Sequence, residues 1–335
     1  KKMRIYKRFF AILFSLASIC FVLFAYGCAA DYGVKIKTAP VIDKDKFSVN
    51  FLSVGQGDCI FIRLPDGKNM LIDCGEESES TQALLSETLS YTETDRIDYL
   101  VLTHTDADHT GNALFVTKKF NIGKAFVPYI LNKEEFGAFG EIYAALENRA
   151  EELTVSATGK DVLGDDYTIC ILSPDSEELN GFYDDLNYGN ANSQSVNAIS
   201  AVIYLEYKGV RFLFTGDAEK KTLNKVVQNA KAGLYKSFYI GTGRTVNLLD
   251  IDFLKVAHHG SSDAADEEFL EYVKPANAVI SVGAINDYGH PSTNALLALL
   301  KANDQMNIYR TDLDGSVSVV VEEDGTYNVF LSSEK

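Results

Sequence analysis

Short apolar runs that end in polar residues alternate with longer amphipathic stretches along the first half of this chain. The runs with the length and the β-branched or aromatic content of strands are residues 47–54, 58–64, 69–73, 97–102, 124–127 and 162–172. The stretches with apolar positions at helical spacing are residues 80–94, 111–120 and 133–153. Strands and helices in alternation predict a layered α/β domain.

The second half repeats this alternation after a polar interruption. Residues 177–195 are rich in Asn, Gly and Asp, which predicts a loop bordering the mouth of a site. The predicted strands that follow are residues 198–207, 210–215, 252–257, 277–282, 316–321 and 327–331, with a helix over 218–230. Residues 232–249 form an insert of mixed Tyr, Phe, Gly and Lys, which we interpret as a lid or a substrate rim.

Length, composition and charge narrow the function classes. With 335 residues, 46% of them hydrophobic and 23% charged, the chain has globular values and room for one large domain or two. The formal net charge is −16, which opposes non-specific binding to DNA or anionic lipid. A local basic strip remains compatible with an acidic protein, so nucleic acid stays an open substrate class.

The N-terminal segment has the pattern of an export signal. Five basic residues within the first eight positions precede an apolar stretch over residues 9–24, and Gly27-Cys28 follows. We predict that residues 1–30 are a lipoprotein-like signal with Cys28 as the lipidated residue, and that residues 31–46 are a tether. The alternative is an uncleaved membrane anchor, because the apolar run approaches the ~17-residue lower limit for a span. Either interpretation places the globular part outside the cytoplasm of a bacterium, attached to its membrane.

The cysteines predict no disulfide framework. Cys20 and Cys28 belong to the predicted signal, which leaves Cys59, Cys74 and Cys170 in strand-like contexts. An odd number of cysteines in apolar surroundings predicts buried free thiols.

Four potential metal ligands fall within six residues directly after the run at 97–102: His104, Asp106, Asp108 and His109. A turn leaving a strand can direct such a cluster into one cavity. Two imidazoles and two carboxylates suit a borderline divalent ion, with Zn²⁺ favoured and Mn²⁺ or Fe²⁺ as alternatives. The competing interpretation is an acidic turn that caps the helix beginning near Thr110.

The remaining histidines favour the metal interpretation. The chain has five, and the three outside this cluster are the adjacent His258-His259 and His290. His258-His259 ends the apolar run at 253–257, and Asp217 follows the run at 210–215. Acids and histidines placed repeatedly at strand ends predict a site at the rim of a sheet.

These features together resemble the metallo-β-lactamase superfamily, and within it the hydrolase domain of the ComEC type found in bacterial DNA-uptake proteins. The matching segments are residues 54–58, 71–75, 103–111, 197–202, 212–219, 254–261 and 286–291. The resemblance runs from about Phe47 to the C-terminus and implies one catalytic domain over residues 47–335 with a four-layer αββα sandwich fold.

The resemblance also implies the site. One or two Zn ions would be held by His104, Asp106, Asp108, His109 and Asp217, with either His259 or His290 completing the set. Asp217 resembles a carboxylate that bridges two metals, and Asp73 resembles an outer residue that supports the ligands by hydrogen bonding. Asn197 stands where many superfamily members have a histidine, which puts occupancy by two metals in doubt.

The chemistry that follows is hydrolysis by a metal-activated water. Neighbouring side chains on a strand face opposite ways, so His258 and His259 can both reach the site only if the chain turns at Gly260. We predict His259 as a ligand and His258 as the acid/base, with Asp108 also assigned to catalysis.

The predicted substrate is a phosphodiester such as DNA. A phosphocholine-type ester and a non-catalytic metal-binding surface protein are the alternatives, and no stable protein partner is predicted. The ligand set departs from the His-rich lactamase pattern, which argues against a β-lactam.

Overall fold

The computed structural model of this protein describes residues 42–130, 136–159, 161–164, 166–187, 193–237, 245–264 and 266–333. The predicted signal and most of the predicted tether lie outside the described residues, so these two predictions stay as they were. In the described part of the chain no helix is both long enough and apolar enough to span a bilayer.

Two mixed sheets form the centre of the domain. The strands of the first sheet are β1 (Phe47–Phe51), β2 (Ile60–Arg63), β3 (Asn69–Ile72), β4 (Arg96–Val101), β5 (Asn121–Val127), β6 (Ala150–Val155), β14 (Val317–Val321) and β15 (Tyr327–Leu331). Their spatial order is β15-β14-β1-β2-β3-β4-β5-β6. Neighbours from β15 to β3 are antiparallel, and neighbours from β3 to β6 are parallel.

The second sheet is likewise divided into an antiparallel and a parallel part. Its strands are β7 (Asp161–Leu163), β8 (Tyr167–Ser173), β9 (Val202–Tyr207), β10 (Val210–Phe214), β11 (Phe253–Lys255), β12 (Asn277–Ile280) and β13 (Asn307–Arg310). The order is β13-β12-β11-β10-β9-β8-β7, with parallel pairing from β10 to β13. Parallel strands bring their carboxyl ends to one edge, which is where α/β proteins place their ligands.

The described helices cover the outer faces of the sheets and connect their strands. They are α1 (Glu79–Ser90), α2 (Ala107–Thr110), α3 (Ala113–Lys119), α4 (Gly137–Arg149), α5 (Ser176–Asn187), α6 (Ser193–Ala198), α7 (Lys220–Lys231), α8 (Leu234–Ser237), α9 (Glu267–Val273), α10 (Thr293–Ala302) and α11 (Thr311–Asp314), with a 3-10 turn at Ala257–Gly260. Ser78 begins α1 as an N-cap, because its hydroxyl accepts the Thr81 N–H at 3.1 Å.

Three separate apolar clusters establish the layers. The central one joins the two sheets, with contacts such as Phe51 against Phe214, whose ring centroids are 6.0 Å apart. A second cluster packs α1, α3 and α4 on the first sheet, and a third packs α7, α9 and α10 on the second. Helix, sheet, sheet and helix therefore form four layers, and the predicted αββα sandwich is confirmed.

Two local predictions were wrong. Residues 177–195 were predicted as a loop, but α5 and α6 occupy much of this stretch, and the buried Phe182 anchors α5. The helix predicted over 133–153 ends at Arg149, and Ala150–Val155 instead pairs with β5 as the edge strand of the first sheet. In both cases tertiary contacts override local helix or turn propensity. The three cysteines Cys59, Cys74 and Cys170 are buried free thiols, as predicted.

Candidate metal centre

The loop after β4 carries the first group of candidate ligands to the carboxyl edge. The chain leaves the strand at Thr103-His104 and begins the one-turn helix α2 immediately after Asp106. Gly57 permits the close packing of this helix: a Cβ at position 57 would lie 2.1 Å from the carbonyl oxygen of Asp108. The neighbouring N–H of Asp58 donates to that same carbonyl at 3.2 Å. The loop that precedes β2 therefore fixes the position of α2.

A strained turn after β11 carries the second group. His258 and His259 both have left-handed backbone conformations, with φ of 46° and 52°. Such conformations cost of order 1–3 kcal/mol each in residues other than glycine and occur mainly at functional sites. The His258 N–H donates to the carbonyl of Gly216 at 3.0 Å, which ties this turn to the loop that carries Asp217.

Four side chains from these loops converge on one small volume. Asp108, His109, Asp217 and His259 each offer a ligand atom, and these atoms all lie within 4.8 Å of one another. His109 Nε2 is 3.1 Å from Asp217 Oδ1 and 3.3 Å from His259 Nε2. His259 Nε2 is 3.2 Å from Asp108 Oδ2. His104 Nε2 adjoins the group, 4.0 Å from Asp217 Oδ2.

Three buried histidines share one hydrogen-bonding pattern. His109 Nδ1 donates to Asp73 Oδ2 at 2.8 Å, and His259 Nδ1 donates to the Ser281 carbonyl at 2.8 Å. His104 Nδ1 is 3.0 Å from the Thr103 hydroxyl, whose own proton goes to Asp73 at 2.7 Å, so His104 must be the donor. Every Nε2 atom therefore faces the common volume, where the ring presents a lone pair when it is neutral. This is how outer hydrogen bonds orient imidazole ligands in metal sites.

The donor set fits a divalent cation. His104 Nε2 is buried and has no hydrogen-bond partner among the described residues, and a buried polar atom in this condition is costly. Imidazole nitrogens and carboxylate oxygens are the ligands of Zn²⁺ and related ions. The residues at this site thus suit a divalent metal ion, although they do not by themselves identify it as zinc.

The directions in which the histidine pKa values shift also indicate that the carboxylates of the site favour a neighbouring positive charge. Burial alone would lower the pKa of His109, but Asp217 and Asp73 raise it well above its usual value. Burial likewise opposes protonation of His259, and Asp217 together with Asp108 raises its pKa. Burial lowers the pKa of His104 well below its usual value. In the absence of a metal, the carboxylates thus favour the protonated forms of His109 and His259.

The charged pair formed by Asp58 and Lys255 was missed in the sequence. The Lys255 ammonium is completely buried beside the candidate metal ligands, where it contacts Asp58 Oδ2 and donates to the Gly216 carbonyl at 3.2 Å. It also lies 4.0 Å from Asp217 Oδ1. The signal was available, because Lys255 interrupts an apolar strand and a buried lysine requires a carboxylate partner.

The other predicted site residues lie around this group. His258 is partly exposed at the mouth, with Nε2 3.7 Å from Asp217 Oδ2. The ring of His290 lies 5.6 Å from that of His258 and 6.5 Å from that of His259, outside the group of four. Asp106 Oδ2 is 3.8 Å from His104 Nε2 at the exposed border. Asn197 lies in α6 instead of beginning a strand, and its buried side-chain oxygen has no partner among the described residues.

Of the two candidates for the last ligand, the geometry favours His259. Its Nε2 is within 3.5 Å of Asp217 Oδ2 and belongs to the converging group, whereas His290 reaches this group only through ring contacts. The roles assigned to these residues stay predictions that require a metal-bound protein.

Comparisons with solved structures give low overall similarity. A metallo-β-lactamase fold protein, YhfI from Bacillus subtilis, covers 85% of this chain and 100% of its own, with a TM-score of 0.46 and 10% sequence identity. The CmlA β-hydroxylase E377D mutant covers 84% of this chain and 55% of its own, with a TM-score of 0.47 and 14% identity.

Sequence comparisons are more informative. The family described as the metallo-beta-lactamase superfamily matches residues 52–184. ComE operon protein 3 of Bacillus subtilis is 27% identical over 98% of this chain and 39% of its own length. Recombination protein 2 of Haemophilus influenzae is 27% identical over 83% of this chain and 29% of its own. The chain thus spans between a quarter and two fifths of the length of these relatives. The chain is thus similar to the metallo-beta-lactamase superfamily over residues 52–184 and, over most of its length, to ComE operon protein 3 and Recombination protein 2.

Proposed function

We propose that this protein is a metal-dependent phosphodiesterase that cleaves DNA outside the cytoplasm. The observation that carries the proposal is the convergence of Asp108, His109, Asp217 and His259 on one volume, beside the unpartnered Nε2 of His104. Loops of both sheets contribute to this group, and its atoms are ordered by hydrogen bonds to residues behind them.

The ligand residues would hold one or two divalent ions at this position. When bound, such an ion supplies a water of lowered pKa and positive charge beside the reacting oxygen. Asp73 holds His109 through Nδ1, and Ser281 holds His259 in the same way. Because these outer bonds fix both rings, the rings need no reorientation to bind the ion once Nε2 has lost any proton.

His258 is the candidate proton donor for the leaving group. Its Nε2 is 3.7 Å from Asp217 Oδ2, and its side chain is partly exposed at the mouth, where an ester substrate would enter. The carboxylate can orient the ring so that one nitrogen faces the leaving oxygen, to which it donates a proton as the ester bond breaks.

Metal analysis combined with turnover of bis(p-nitrophenyl) phosphate tests the proposal. We expect the purified protein to contain a divalent metal and to release p-nitrophenol, and the Asp108→Ala variant to lose most of this activity. The exposed Asp263, which lies on the loop after the 3-10 turn, supplies a matched control as Asp263→Ala. Equal activity of the wild-type protein and the Asp108→Ala variant would overturn the proposed mechanism.

The substrate class is tested by offering single-stranded DNA and a phosphocholine ester side by side. We expect cleavage of the DNA, in keeping with the ComEC-type relationship. Preferential hydrolysis of the phosphocholine ester would assign the protein to the small-ester alternative, and metal binding without turnover of either would support a non-catalytic role.

The proposed location rests on the sequence of residues 1–30 alone. A basic head, an apolar segment and Gly27-Cys28 support export and lipid attachment at Cys28. Metabolic labelling with a radioactive fatty acid tests this, and we expect the Cys28→Ser variant to lose the label. A label that persists in this variant would contradict lipidation at this residue.

A further inference from the structure

The rim of the metal centre presents two exposed apolar side chains on one loop. Residues 283–290 connect the end of β12 to the segment before α10, and they carry Ile285, which is 96% exposed, and Tyr288, which is 72% exposed. Neither side chain contributes to the apolar clusters that stabilise the fold. Large exposed apolar groups beside a functional site are a common sign of a binding surface.

Tyr288 is directly connected to the metal centre. Its ring is stacked on that of His290, with centroids 5.7 Å apart and an interplanar angle of 25°. His290 in turn contacts His258, at 5.6 Å between ring centroids. One face of the tyrosine ring therefore covers an imidazole, while most of the side chain is open to solvent at the mouth of the site.

The loop that presents Tyr288 is held in place by hydrogen bonds. The Asn286 side chain donates to the carbonyls of Gly283 and His290, at 3.0 and 2.9 Å, and accepts the His290 N–H at 3.0 Å. The Gly283 N–H donates to Gln56 Oε1 at 3.2 Å, and a Cβ at position 283 would lie 2.8 Å from the backbone nitrogen of Gln56. A rigid, preformed support reduces the entropic cost of binding.

We propose that Tyr288 is a stacking platform for a nucleobase adjacent to the phosphodiester that is cleaved. This inference rests on the proposed function and extends it to the recognition of the substrate. An open aromatic face binds any of the bases, because every base has a π-face, and such stacking is the usual way in which proteins bind single strands without sequence preference.

Two features favour a base over the choline group of the alternative substrate. Recognition of a quaternary ammonium uses a cage of several aromatic faces. Tyr288 instead offers a single flat face on top of His290, and the chain contains no tryptophan. The formal net charge of −16 disfavours affinity based mainly on contacts between phosphates and basic side chains, whereas it does not oppose stacking of a base.

Two chromogenic esters, one with a base and one without, separate the contribution of the base from that of the phosphodiester. Thymidine 5′-(p-nitrophenyl) phosphate carries a base, whereas methyl p-nitrophenyl phosphate does not, and the bond that breaks is the same in both. We expect the Tyr288→Ala variant to reduce the ratio of kcat/KM for the thymidine ester to that for the methyl ester about tenfold, mainly through KM. Tyr288→Phe keeps the ring and should preserve the ratio. The Tyr91→Ala control, at a tyrosine 41% exposed at the C-terminal end of α1, should preserve it as well.

Binding provides a readout that does not depend on turnover. In an Asp108→Ala background, fluorescence anisotropy compares a short oligothymidylate with an oligonucleotide of the same length that lacks bases. We expect the added Tyr288→Ala change to weaken binding of the first about tenfold and to abolish the difference between the two.

The outcomes separate the two proposals. If neither ester is hydrolysed, the proposed function fails, and the anisotropy experiment still decides the role of Tyr288. If the esters are hydrolysed but Tyr288→Ala leaves both the ester ratio and the oligonucleotide difference unchanged, the platform is disproved while the phosphodiesterase stands. A loss confined to phosphocholine esters would also disprove it, because the occupant would then be an ammonium group.

Discussion

The two sheets contribute to the metal centre in different ways. Loops of the first sheet supply most of the acids together with two imidazoles: Asp58, Asp73, His104, Asp106, Asp108 and His109. The second sheet supplies one carboxylate and the remaining basic groups, with Lys255 in strand β11 and the others in its loops: Asp217, Lys255, His258, His259 and His290. Four members of the first group lie on or shortly before one short helix, whereas the second group depends on strand ends and a strained turn.

The residues contributed by either sheet alone would leave the charges at the site unbalanced. Buried carboxylates close together repel one another and resist ionisation. The second sheet brings Lys255 against Asp58 and His259 against Asp108, and thereby offsets this repulsion. Formation of the site is thus coupled to the packing of the sheets, and variants of the second sheet should have the larger effects.

The largest expected effect is that of Asp217→Asn. Asp217 is the single carboxylate contributed by the second sheet, and it adjoins His109, His258 and His259 at 3.1, 3.7 and 3.5 Å. Loss of an outer hydrogen-bonding residue costs about 10–100-fold in metal affinity or activity, so loss of this central carboxylate should cost more than ~100-fold. Metal content by mass spectrometry and turnover of bis(p-nitrophenyl) phosphate measure both. Retention of metal and activity would show that the first sheet forms the site alone.

Lys255→Met should mainly affect stability. Removing one partner of a buried ion pair leaves an uncompensated charge and costs about 3–5 kcal/mol. We expect this loss in the free energy of unfolding measured by urea denaturation. The double variant Asp58→Asn/Lys255→Met removes both charges, and should recover part of the loss. If the double variant is as unstable as the single one, the contact between Lys255 and Asp58 is not what stabilises this region.

The contrast between the sheets also determines what the sequence can predict. His104, Asp106, Asp108 and His109 are close in sequence, and a strand followed by a turn is enough to bring them together. The strand ends at Asp217 and His259 were predictable as a rim, because parallel strands share an edge. The pairing of the two sheets came only through the resemblance to a known superfamily, since it depends on contacts between distant residues.

Other parts of the structure carried too little local signal. Ala150–Val155 has an Ala-Glu-Glu-Leu sequence that favours a helix, and only pairing with β5 makes it a strand. In α5 few apolar residues mark the buried side, and Phe182 becomes informative only when its neighbours are known. Lys255 in an apolar strand indicated a carboxylate partner, but the identity of that partner as Asp58, in the other sheet, could not be derived from either segment. The insert over 232–249 lies partly outside the described residues, so its interpretation as a lid stays a prediction.

A comparison of His259→Asn with His290→Asn sharpens the assignment of the last ligand. His259 belongs to the converging group, whereas His290 contacts it only through rings. We expect His259→Asn to lose metal, and His290→Asn to keep it and to lose about tenfold in turnover through the altered support of His258. Metal content and activity measured on the same samples separate the roles. Loss of metal in His290→Asn with retention in His259→Asn would reverse the assignment.

The smallest expected effect is the release of protons when a metal ion binds. It involves one histidine from each sheet, His109 and His259. In the metal-free protein, neighbouring carboxylates raise the pKa of His109 and of His259, which favours the protonated form of both rings. A metal ion requires neutral imidazole, so binding must displace these protons, and the apparent affinity should rise with pH by about tenfold per unit for each proton displaced. This rise should end once the pH exceeds the raised pKa values, because the rings are then already neutral.

His104 should release no proton, since burial lowers its pKa. Titration calorimetry with Zn²⁺ in buffers of different protonation enthalpy counts the protons, and we expect a release of up to about two that falls as the pH rises. A pH-independent affinity would mean that both rings are neutral before binding, and that the acids of the first sheet are balanced by Lys255 alone.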